Sequence, residues 1–346
     1  MANGSINVIS GHEVLELLRG REGEIMDVVG RAYVTHAAGD SSLPHSTFLH
    51  FPSDRRSRII ALPAYLGGEF NVAGLKWIGS FPSNLERGLD RASAVIILNS
   101  TETGRPELVV EGSIVSAKRT AASAALAARA LKAGGTTAGL IGCSLINFEI
   151  ARFLRAALPE LKEFVAYDLD RKQIEFFRER CQQSFGVRVR VAQGVEEVLG
   201  SATLVSMATS AVEPHIFNLN ACAPGSVILH ISLRDLAPEV ILHCDNVVDD
   251  VDHVCRAQTS VHLALQLIGH REFIRCTLGD IINGVSPPRR DDKSIVVFSP
   301  FGLGILDLAL AKLVRDLSDK IGCGELPGQP CGQLIDSFLP EYWKHD

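Results

Sequence analysis

Strand-like and helix-like hydrophobic patterns alternate through the middle of the chain. Residues 137–142 form a short apolar run that ends in glycine, and residues 145–158 repeat apolar positions at helical spacing. The alternation continues with an apolar run at 164–168, a charged helical stretch at 171–184, and apolar runs at 187–191, 202–208, 226–231 and 246–248. Continuous apolar strands separated by helices predict a parallel sheet covered on both faces. We therefore predict an α/β fold with a Rossmann-type domain in this region.

The first part of the chain has a different pattern, which predicts a second, α+β domain. Two amphipathic helices are indicated by apolar residues at Val14, Leu17, Leu18, Ile25, Val28 and Val29. Three strands separated by Gly and Pro turns follow, at 58–62, 73–78 and 94–99. Near the other end of the chain, a strand at 295–298 precedes a helix with an apolar face at 303–317. We expect this last helix to return the chain to the first domain.

The composition is that of an ordinary globular protein and narrows the function only by exclusion. Of 346 residues, 46% are hydrophobic and 21% are charged, and the formal net charge is -6, which argues against disorder and a small disulfide scaffold. A net negative charge argues against a nucleic-acid-binding protein, which usually carries a basic surface. No apolar run is long enough to cross a membrane. The N-terminus lacks the pattern of a signal peptide, and the eight cysteines are scattered without a CxxC pair. These features predict free thiols, a cytoplasmic protein and no metal site.

A degraded nucleotide-binding turn lies between the first apolar run and the helix after it. Such a turn needs a tight bend and then free backbone N–H groups at a helix N-terminus, where a pyrophosphate binds. Gly142 occupies the first glycine position, Ser144 the second and Asn147 the third. We predict that this turn binds a dinucleotide through Gly142, Ser144, Leu145 and Ile146. Asparagine at the third position is expected to loosen the packing of the helix on the strand.

An acidic residue ends the next predicted strand, where a carboxylate accepts both hydroxyls of a cofactor ribose. This residue, Asp168, lies 26 residues after Gly142. Its charge would repel a 2′-phosphate, which predicts NAD rather than NADP, although the nearby Arg171 weakens that argument. The alternative interpretation is that Asp168 only caps the helix that starts near Leu169.

Cationic residues concentrate near the predicted strand ends of the first domain. Lys76 is flanked by apolar residues in a strand, and both it and Arg58 either face solvent or are buried with a partner. Arg119 precedes a stretch of small apolar residues, so a buried Arg119 needs a carboxylate partner.

Two further arginines, Arg87 and Arg91, lie between the second and third predicted strands. We expect all five cations to converge on one cleft, which would give a net negative protein a local positive site. The alternative for Arg91 is a surface ion pair with Asp90 or Glu86.

Several stretches of the chain resemble the ornithine cyclodeaminase and mu-crystallin family. They include GLKWIG, VIILNSTETGRPELVVEGSIVSAKRTAA and the C-terminal VVFSPFGLGILDLALAKLV, so the resemblance covers nearly the whole chain. Within the family, GLKWIGSFPSN, RGLDRASAVIILN, LIGCSLI and HISLRDLAPEV are most similar to the enzymes that make L-2,3-diaminopropionate for siderophores and peptide antibiotics.

The resemblance implies an NAD-dependent dehydrogenase acting on N-(1-amino-1-carboxy-2-ethyl)-L-glutamate, a tricarboxylate amino acid. Oxidation at the glutamate α-carbon gives an imine, and water then releases 2-oxoglutarate and L-2,3-diaminopropionate. The resemblance also implies a homodimer. On this basis we expect a substrate-binding and dimerisation domain at residues 1–118 and 316–346, and an NAD-binding domain at residues 119–315.

Individual residues take roles from the same resemblance. Arg58, Lys76 and Arg119 correspond to positions that hold the substrate carboxylate and polarise the imine or water. Asp235 corresponds to the acidic residue that handles the amine proton, a role that suits a carboxylate whose pKa is raised by partial burial. The pKa of Lys76 would fall if the lysine lies among other cations, which would let it deprotonate the attacking water. A second substrate carboxylate would be bound by Arg87 or Arg91.

Three more residues are expected to contact the cofactor. Thr209 should lie on the ribose side of the nicotinamide and Gly302 on its other side, and Ser232 completes this group. For Asp307, about one helical turn beyond Gly302, a structural and a functional role are equally open.

Other activities stay open at this point. They are an ornithine or lysine cyclodeaminase, another amino-acid or imine dehydrogenase of the family, and a non-enzymatic NAD(P)-binding protein such as mu-crystallin. Arg87 and Arg91 argue against a compact diamine substrate, which has no use for additional cations. The joint presence of Lys76, Arg119 and Asp235 argues against a protein that only binds nucleotide.

Overall fold

The computed structural model describes residues 6–321, and the chain divides into two compact units. Unit 1 comprises Met1–Arg119 and Leu303–Asp346, and unit 2 comprises Thr120–Gly302. The second boundary therefore lies before residue 303 and not at the expected residue 316. The reason is that one helix, Gly304–Ile321, packs on the strands of unit 1 and cannot be divided between the units. Residues 322–346 of the expected first domain lie outside the described residues.

Unit 1 is an α+β unit built on one seven-stranded sheet. Its elements are β1 (Asn7–Ile9), α1 (Gly11–Leu18), α2 (Glu22–Ala37), β2 (Ser41–Ser42), β3 (Thr47–Phe51), β4 (Asp54–Leu66), β5 (Val72–Ser80), a 3-10 helix (Pro82–Arg87), β6 (Ala92–Asn99), β7 (Pro106–Glu111), the start of α3 (Gly112–Ala130) and, near the C-terminus, α11 (Gly304–Ile321). The strand order is β1-β7-β6-β5-β4-β2, with β3 also paired to β4. Only the β1–β7 pair is parallel within these described strands.

Strand pairing decides which side chains share a face of this sheet. In the β4–β5 pair, Arg58 lies opposite Ser80 and Leu62 lies opposite Lys76. Because side chains alternate along a strand, Arg58 and Lys76 lie on one face and Trp77 lies on the other. Helix α11 packs on the face that carries Lys76, so that face is the buried one.

Unit 2 is an eight-stranded, fully parallel sheet with helices between its strands. Its elements are the end of α3, β8 (Thr137–Ile141), α4 (Leu145–Ala157), β9 (Glu163–Tyr167), α5 (Arg171–Phe185), β10 (Arg188–Val191), α6 (Val195–Ser201), β11 (Leu204–Met207), β12 (Val227–His230), α7 (Pro238–Leu242), β13 (Asp245–Val248), α8 (Val251–Val254), α9 (Ser260–Ile268), β14 (Ile274–Thr277), α10 (Leu278–Ile282) and β15 (Val296–Ser299). The order is β10-β9-β8-β11-β12-β15-β13-β14. The prediction of a Rossmann-type parallel sheet beside an α+β unit is confirmed.

The inner strands of unit 2 are mostly apolar because the sheet is covered on both sides. Every residue of β11, β12, β13 and β15 is buried. The strand order reverses between β8 and β11, and such a switch point opens a crevice at the carboxyl ends of the strands. The turns that follow β8 and β11 are therefore the places to examine for a nucleotide site.

The described part of the chain, residues 6–321, has no helix with the length and apolar character that crossing a bilayer requires. The cysteines in this part are all free thiols, at positions 143, 181, 222, 244, 255 and 276. Cys323 and Cys331 lie outside the described residues.

Candidate active site

The turn after β8 is shaped by a glycine that no other residue can replace without strain. Gly142 has a φ of +87°, which side chains of L-residues rarely adopt. A Cβ added there would lie 2.5 Å from the carbonyl oxygen of Ala208, at the end of β11. The absence of a side chain thus lets the two crevice-forming turns approach each other closely.

Asn147 tightens this turn, and the prediction that it would loosen the packing is wrong. Its Nδ2 donates to the carbonyl oxygens of Ile141 at 2.9 Å and Gly142 at 2.6 Å. Its Oδ1 accepts a hydrogen bond from the buried Ser206 Oγ on β11 at 2.7 Å. The amide therefore ties β8, the turn and β11 together, in a place where a third glycine would only have allowed close packing.

The N-terminus of α4 offers backbone donors to an anion. Ser144 is the N-cap residue, and no side chain of the described residues forms a cap hydrogen bond there. Ser144 is exposed, and the next two residues, Leu145 and Ile146, are half-buried. The first N–H groups of a helix lack partners within the helix and carry its positive dipole end. The role predicted for these residues in binding a pyrophosphate is compatible with this geometry and stays a prediction.

Asp168 follows β9 and is connected to the same turn. Its Oδ2 accepts from the backbone N–H of Cys143 at 2.7 Å, and its Oδ1 accepts from the N–H of Asp170 at 2.9 Å. It is not the helix cap, because Asp170 caps α5. Each carboxylate oxygen has a second lone pair, so ribose hydroxyls can still bind. A cavity of about 610 Å³ beside Asp168 is bordered by Arg171, Val191 and Ala192, which fits the nucleoside end of a dinucleotide.

Asp235 lies fully buried in unit 2, at the centre of a cluster of hydrogen-bond donors. Its Oδ1 accepts from Thr209 Oγ1, and its Oδ2 accepts from Ser232 Oγ. His230 Nε2 lies 3.3 Å from Oδ2. Burial alone would raise the pKa of Asp235, but the hydrogen bonds from His230, Ser232 and Thr209 lower it to about 2. The expected raised pKa is wrong, because the donors outweigh the cost of burial.

Two residues predicted to contact the cofactor thus contact this carboxylate: Thr209 and Ser232. Gly302, the third of that group, has a φ of +90° and donates its N–H to Asp249 Oδ2 at 2.7 Å. Asp249 also accepts the N–H of Phe301 at 2.8 Å and is 1% exposed. A buried carboxylate therefore fixes the turn after β15.

In unit 1, Lys76 and Arg119 share one buried carboxylate. Lys76 Nζ lies 2.7 Å from Asp307 Oδ2, and Arg119 Nε donates to Asp307 Oδ1 at 3.0 Å. Ser116 Oγ is 3.1 Å from Lys76 Nζ, and Arg119 also reaches this hydroxyl. Lys76 is 2% exposed and Asp307 is 0% exposed. The carboxylate partner that a buried Arg119 requires is therefore Asp307. Asp307 thus has at least a structural role, because it pairs with two buried cations.

The surroundings of Lys76 make its ammonium group easier to deprotonate. Burial is the largest influence on the pKa of Lys76, which falls to about 8. The Asp307 carboxylate opposes this fall, and the Arg119 charge adds to it. The pKa falls as expected, but burial contributes more than the neighbouring cation. A substantial share of Lys76 is neutral at slightly alkaline pH and can accept a proton.

Arg58 and Arg91 form a second group of cations in unit 1. The buried Arg58 Nε has no hydrogen-bond partner among the described residues. Arg91 is exposed overall, yet burial of its guanidinium and then the Arg58 charge lower the pKa of Arg91. Arg87 ends the 3-10 helix and is exposed. Like charges held close together, with an unused buried donor, suit an anionic ligand.

These features match a known family. The sequence model of the ornithine cyclodeaminase/mu-crystallin family matches residues 7–320. The chain belongs to this family. A relative in Staphylococcus aureus (strain NCTC 8325 / PS 47), an N-((2S)-2-amino-2-carboxyethyl)-L-glutamate dehydrogenase, is 30% identical over 307 residues, 86% of this chain and 91% of the relative.

Two further family members carry an alanine dehydrogenase name. The alanine dehydrogenase of Archaeoglobus fulgidus is 31% identical over 313 residues, covering 86% of this chain and 92% of that protein. The structure of an archaeal alanine dehydrogenase dimer with bound NAD superimposes with a TM-score of 0.80 at 28% identity, covering 91% of this chain and 96% of that chain. The similarity thus spans both units.

Sequence reasoning named Asp307 and Asn147 without their partners, and it missed the roles of Ser206, His230 and Asp249. A signal existed for Asp307, because it is the only acidic residue in the apolar stretch GILDLALAKLV. A single carboxylate on a buried helix face needs a cationic partner. Ser206, His230 and Asp249 lie on or directly after strands with no distinctive local pattern, and only the folded sheet brings them to their partners.

Proposed function

We propose that this protein catalyses the NAD-dependent oxidative hydrolysis of N-(1-amino-1-carboxy-2-ethyl)-L-glutamate to 2-oxoglutarate and L-2,3-diaminopropionate, with NADH formed. The observation that carries the proposal is that unit 1 holds a pair of neighbouring arginines, Arg58 and Arg91, in addition to the buried Lys76–Asp307–Arg119 cluster. A substrate with several carboxylates needs more cations than a simple amino acid does. The 30% identity to a dehydrogenase named for this substrate supports the same conclusion.

Unit 2 is assigned the cofactor. Ser144, Leu145 and Ile146 would hold the pyrophosphate with backbone N–H groups at the start of α4, and Asp168 would accept the ribose hydroxyls. Gly142, whose own N–H donates to the Tyr167 carbonyl oxygen, would let the pyrophosphate approach the turn closely. NAD, when bound, supplies the hydride acceptor for oxidation of the substrate C–N bond. Asp168 favours NAD over NADP because its charge would repel a 2′-phosphate.

Unit 1 is assigned the substrate carboxylates. Arg119 is held by Asp307 through its Nε, which fixes the orientation of its planar guanidinium. Arg58 and Arg91 would bind a second carboxylate, with Arg87 as a weaker contributor at the exposed rim. Charge-assisted contacts of this kind are roughly twice as strong as neutral ones.

Lys76 is assigned the hydrolytic step. After oxidation, the carbon of the substrate imine is open to attack by water. Neutral Lys76 would accept a proton from that water, and its low pKa of about 8 makes the neutral form available. Asp307 and Ser116 hold the Nζ atom in place.

The proposal is tested by incubating the protein with NAD and, in parallel, the glutamate–diaminopropionate adduct, L-ornithine and L-alanine, while absorbance at the NADH band is followed. We expect NADH from the adduct at a kcat/KM far above that for the other two substrates. Proline from ornithine without net NADH would contradict the proposal, because cyclodeamination regenerates the cofactor. A preference for alanine would favour the second candidate, an alanine dehydrogenase, which the 31% identity to the A. fulgidus enzyme supports.

We also propose that the protein is a homodimer formed through unit 1. The sheet face opposite Lys76 carries apolar side chains, and Trp77 on that face is 40% exposed. Its cross-strand neighbours are Ala61 and Val95. A second copy of this chain would cover this face, and the similar archaeal alanine dehydrogenase is a dimer. Trp77→Glu should therefore shift sedimentation from dimer to monomer, whereas unchanged sedimentation would contradict this assignment.

A further inference from the structure

Asp235, the residue assigned to the amine proton, is poorly suited to take it. The carboxylate is 0% exposed, and both of its oxygens accept hydrogen bonds from hydroxyl groups. With a pKa of about 2, it is ionised and a very weak base near neutral pH. Its role is that of a fixed negative charge. The amine proton therefore needs another acceptor.

A histidine lies beside this fixed charge. His215 Nε2 is 3.9 Å from Asp235 Oδ1, and 42% of the His215 side chain is exposed. The loop that carries it is anchored to Asp235 itself, since the N–H groups of His215 and Ile216 both donate to the Asp235 carbonyl oxygen at 2.9 Å. These backbone hydrogen bonds hold the chain at residue 215 next to Asp235.

We propose that His215 is the proton acceptor for the substrate amine and that Asp235 acts as its fixed counter-charge. This inference rests on the proposed function and names the base for its first step. A small rotation of the ring would close the 3.9 Å separation to a hydrogen bond, and apo enzymes often show such long separations. With Nε2 directed to Asp235, the other ring nitrogen, Nδ1, takes the proton. This is the arrangement by which a carboxylate orients and strengthens a histidine base.

The step is a proton transfer and needs no oxidant of its own. One N–H bond of the secondary ammonium breaks, and its electron pair stays on the substrate nitrogen. A new N–H bond forms at His215 Nδ1. The resulting imidazolium is stabilised by the Asp235 charge, and its exposed edge can pass the proton to water. The free electron pair on nitrogen is what oxidation of the adjacent C–H bond requires.

Among the described residues, Asp235 faces His215 from the loop after β12, and the other oxygen of that carboxylate lies 3.3 Å from His230 Nε2. Glu213 precedes His215 by two residues on the same loop. Asp235 stays ionised at neutral pH and His230 is fully buried.

The test compares His215→Gln with His243→Gln, a matched substitution at an exposed histidine of the same unit. We expect His215→Gln to lower kcat/KM for the adduct about 100- to 1000-fold at pH 7. The deficit should shrink as pH rises, because the free amine then forms without a base. Added imidazole should restore part of the activity of His215→Ala. NAD binding, measured by quenching of protein fluorescence, should stay within twofold in both variants, and His243→Gln should match the wild type.

The outcomes separate the two claims. If the wild type forms NADH and His215→Gln keeps its kcat/KM for the adduct within threefold at pH 7, the role of His215 is overturned and the proposed function stands. If the wild type forms no NADH from the adduct, the proposed function is overturned, and the base assigned here falls with it. Loss of NAD binding in His215→Gln would assign the residue a structural role and contradict the inference.

Discussion

The two buried ionic clusters of this protein are built in opposite ways. In unit 1, one carboxylate, Asp307, serves two cations, and Lys76 is left with a pKa of about 8. In unit 2, the carboxylate of Asp235 is surrounded by hydrogen-bond donors, and its pKa is about 2. The first cluster can change protonation state under working conditions and the second cannot. Burial alone therefore does not determine which group is a base; the balance of partners does.

The largest expected effect comes from removing the shared carboxylate of unit 1. Asp307→Asn leaves Lys76 and Arg119 buried without a counter-charge, and breaking a buried pair in this way costs about 3–5 kcal/mol. We expect that loss in the free energy of unfolding measured with urea. Asp316→Asn, at a surface pair with Lys312 on the same helix, should change it by less than about 1 kcal/mol. Equal effects of the two substitutions would show that the buried cluster is not a stability element.

Removing the titrating lysine should abolish most turnover without affecting the cofactor. Lys76→Met keeps the length of the side chain and removes the proton acceptor, so kcat for the adduct should fall by about 10²- to 10⁴-fold. NAD affinity should be unchanged, since the predicted cofactor residues belong to unit 2. The control is the same substitution, Lys312→Met, at a lysine in a surface ion pair on α11, and it should leave kcat unchanged. A kcat within threefold of the wild type would remove Lys76 from the mechanism.

The pH dependence of kcat distinguishes Lys76, which changes its protonation state, from Asp235, which does not. Because only neutral Lys76 accepts a proton, kcat should rise with pH through about 8 and level off above it. Asp235 should contribute no limb between pH 5 and 9, because its pKa of about 2 keeps it ionised throughout. A profile recorded on the wild type and on Asp235→Asn would check this. A kcat that is flat from pH 7 to 10 would contradict the assignment of Lys76.

A smaller effect is expected from the second group of cations in unit 1. Arg91→Ala should raise KM for the adduct about 10- to 150-fold, the equivalent of about 1.5–3 kcal/mol for a contact to a charged group. Arg87→Ala should have a weaker effect, since Arg87 is exposed at the end of its 3-10 helix. Arg105→Ala, at an exposed turn, is the control. An unchanged KM in Arg91→Ala would exclude a second carboxylate site at this position.

The smallest expected effect concerns the cofactor turn. Asp168→Asn keeps an acceptor for the Cys143 N–H but loses the charge, so NAD should bind about tenfold more weakly. The preference for NAD over NADP should narrow as well, because the repulsion of a 2′-phosphate is gone. Titration with each nucleotide measures both changes. Asp170→Asn, which alters only the cap of α5, should leave the NAD affinity and the preference for NAD over NADP as in the wild type.

The sequence predicts most of the parallel sheet because most of its strands are short, predominantly apolar runs; β14 (Ile274–Thr277) is not predicted. The helix expected at 145–158 is observed as Leu145–Ala157, and the strand expected at 164–168 as Glu163–Tyr167. The domain boundary after β15 is less predictable. A helix with an apolar face can pack on either unit, and only its contacts assign α11 to unit 1.

Predictions about the site failed where they depended on partners distant in sequence. The pKa of Asp235 could not be predicted, because Thr209 lies 26 residues away and meets it only at the strand ends. The role of Asn147 depends likewise on Ser206, which is 59 residues further along the chain. Residue types and local spacing identify candidates, whereas the balance of donors around them is a property of the folded sheet.

The central claim is that the protein oxidises and hydrolyses the glutamate–diaminopropionate adduct, and product stoichiometry tests it most directly. The purified protein would be incubated with NAD and the adduct, and the products quantified by mass spectrometry. The account predicts equal amounts of NADH, 2-oxoglutarate and L-2,3-diaminopropionate. NADH without 2-oxoglutarate, or no consumption of the adduct at all, would contradict it.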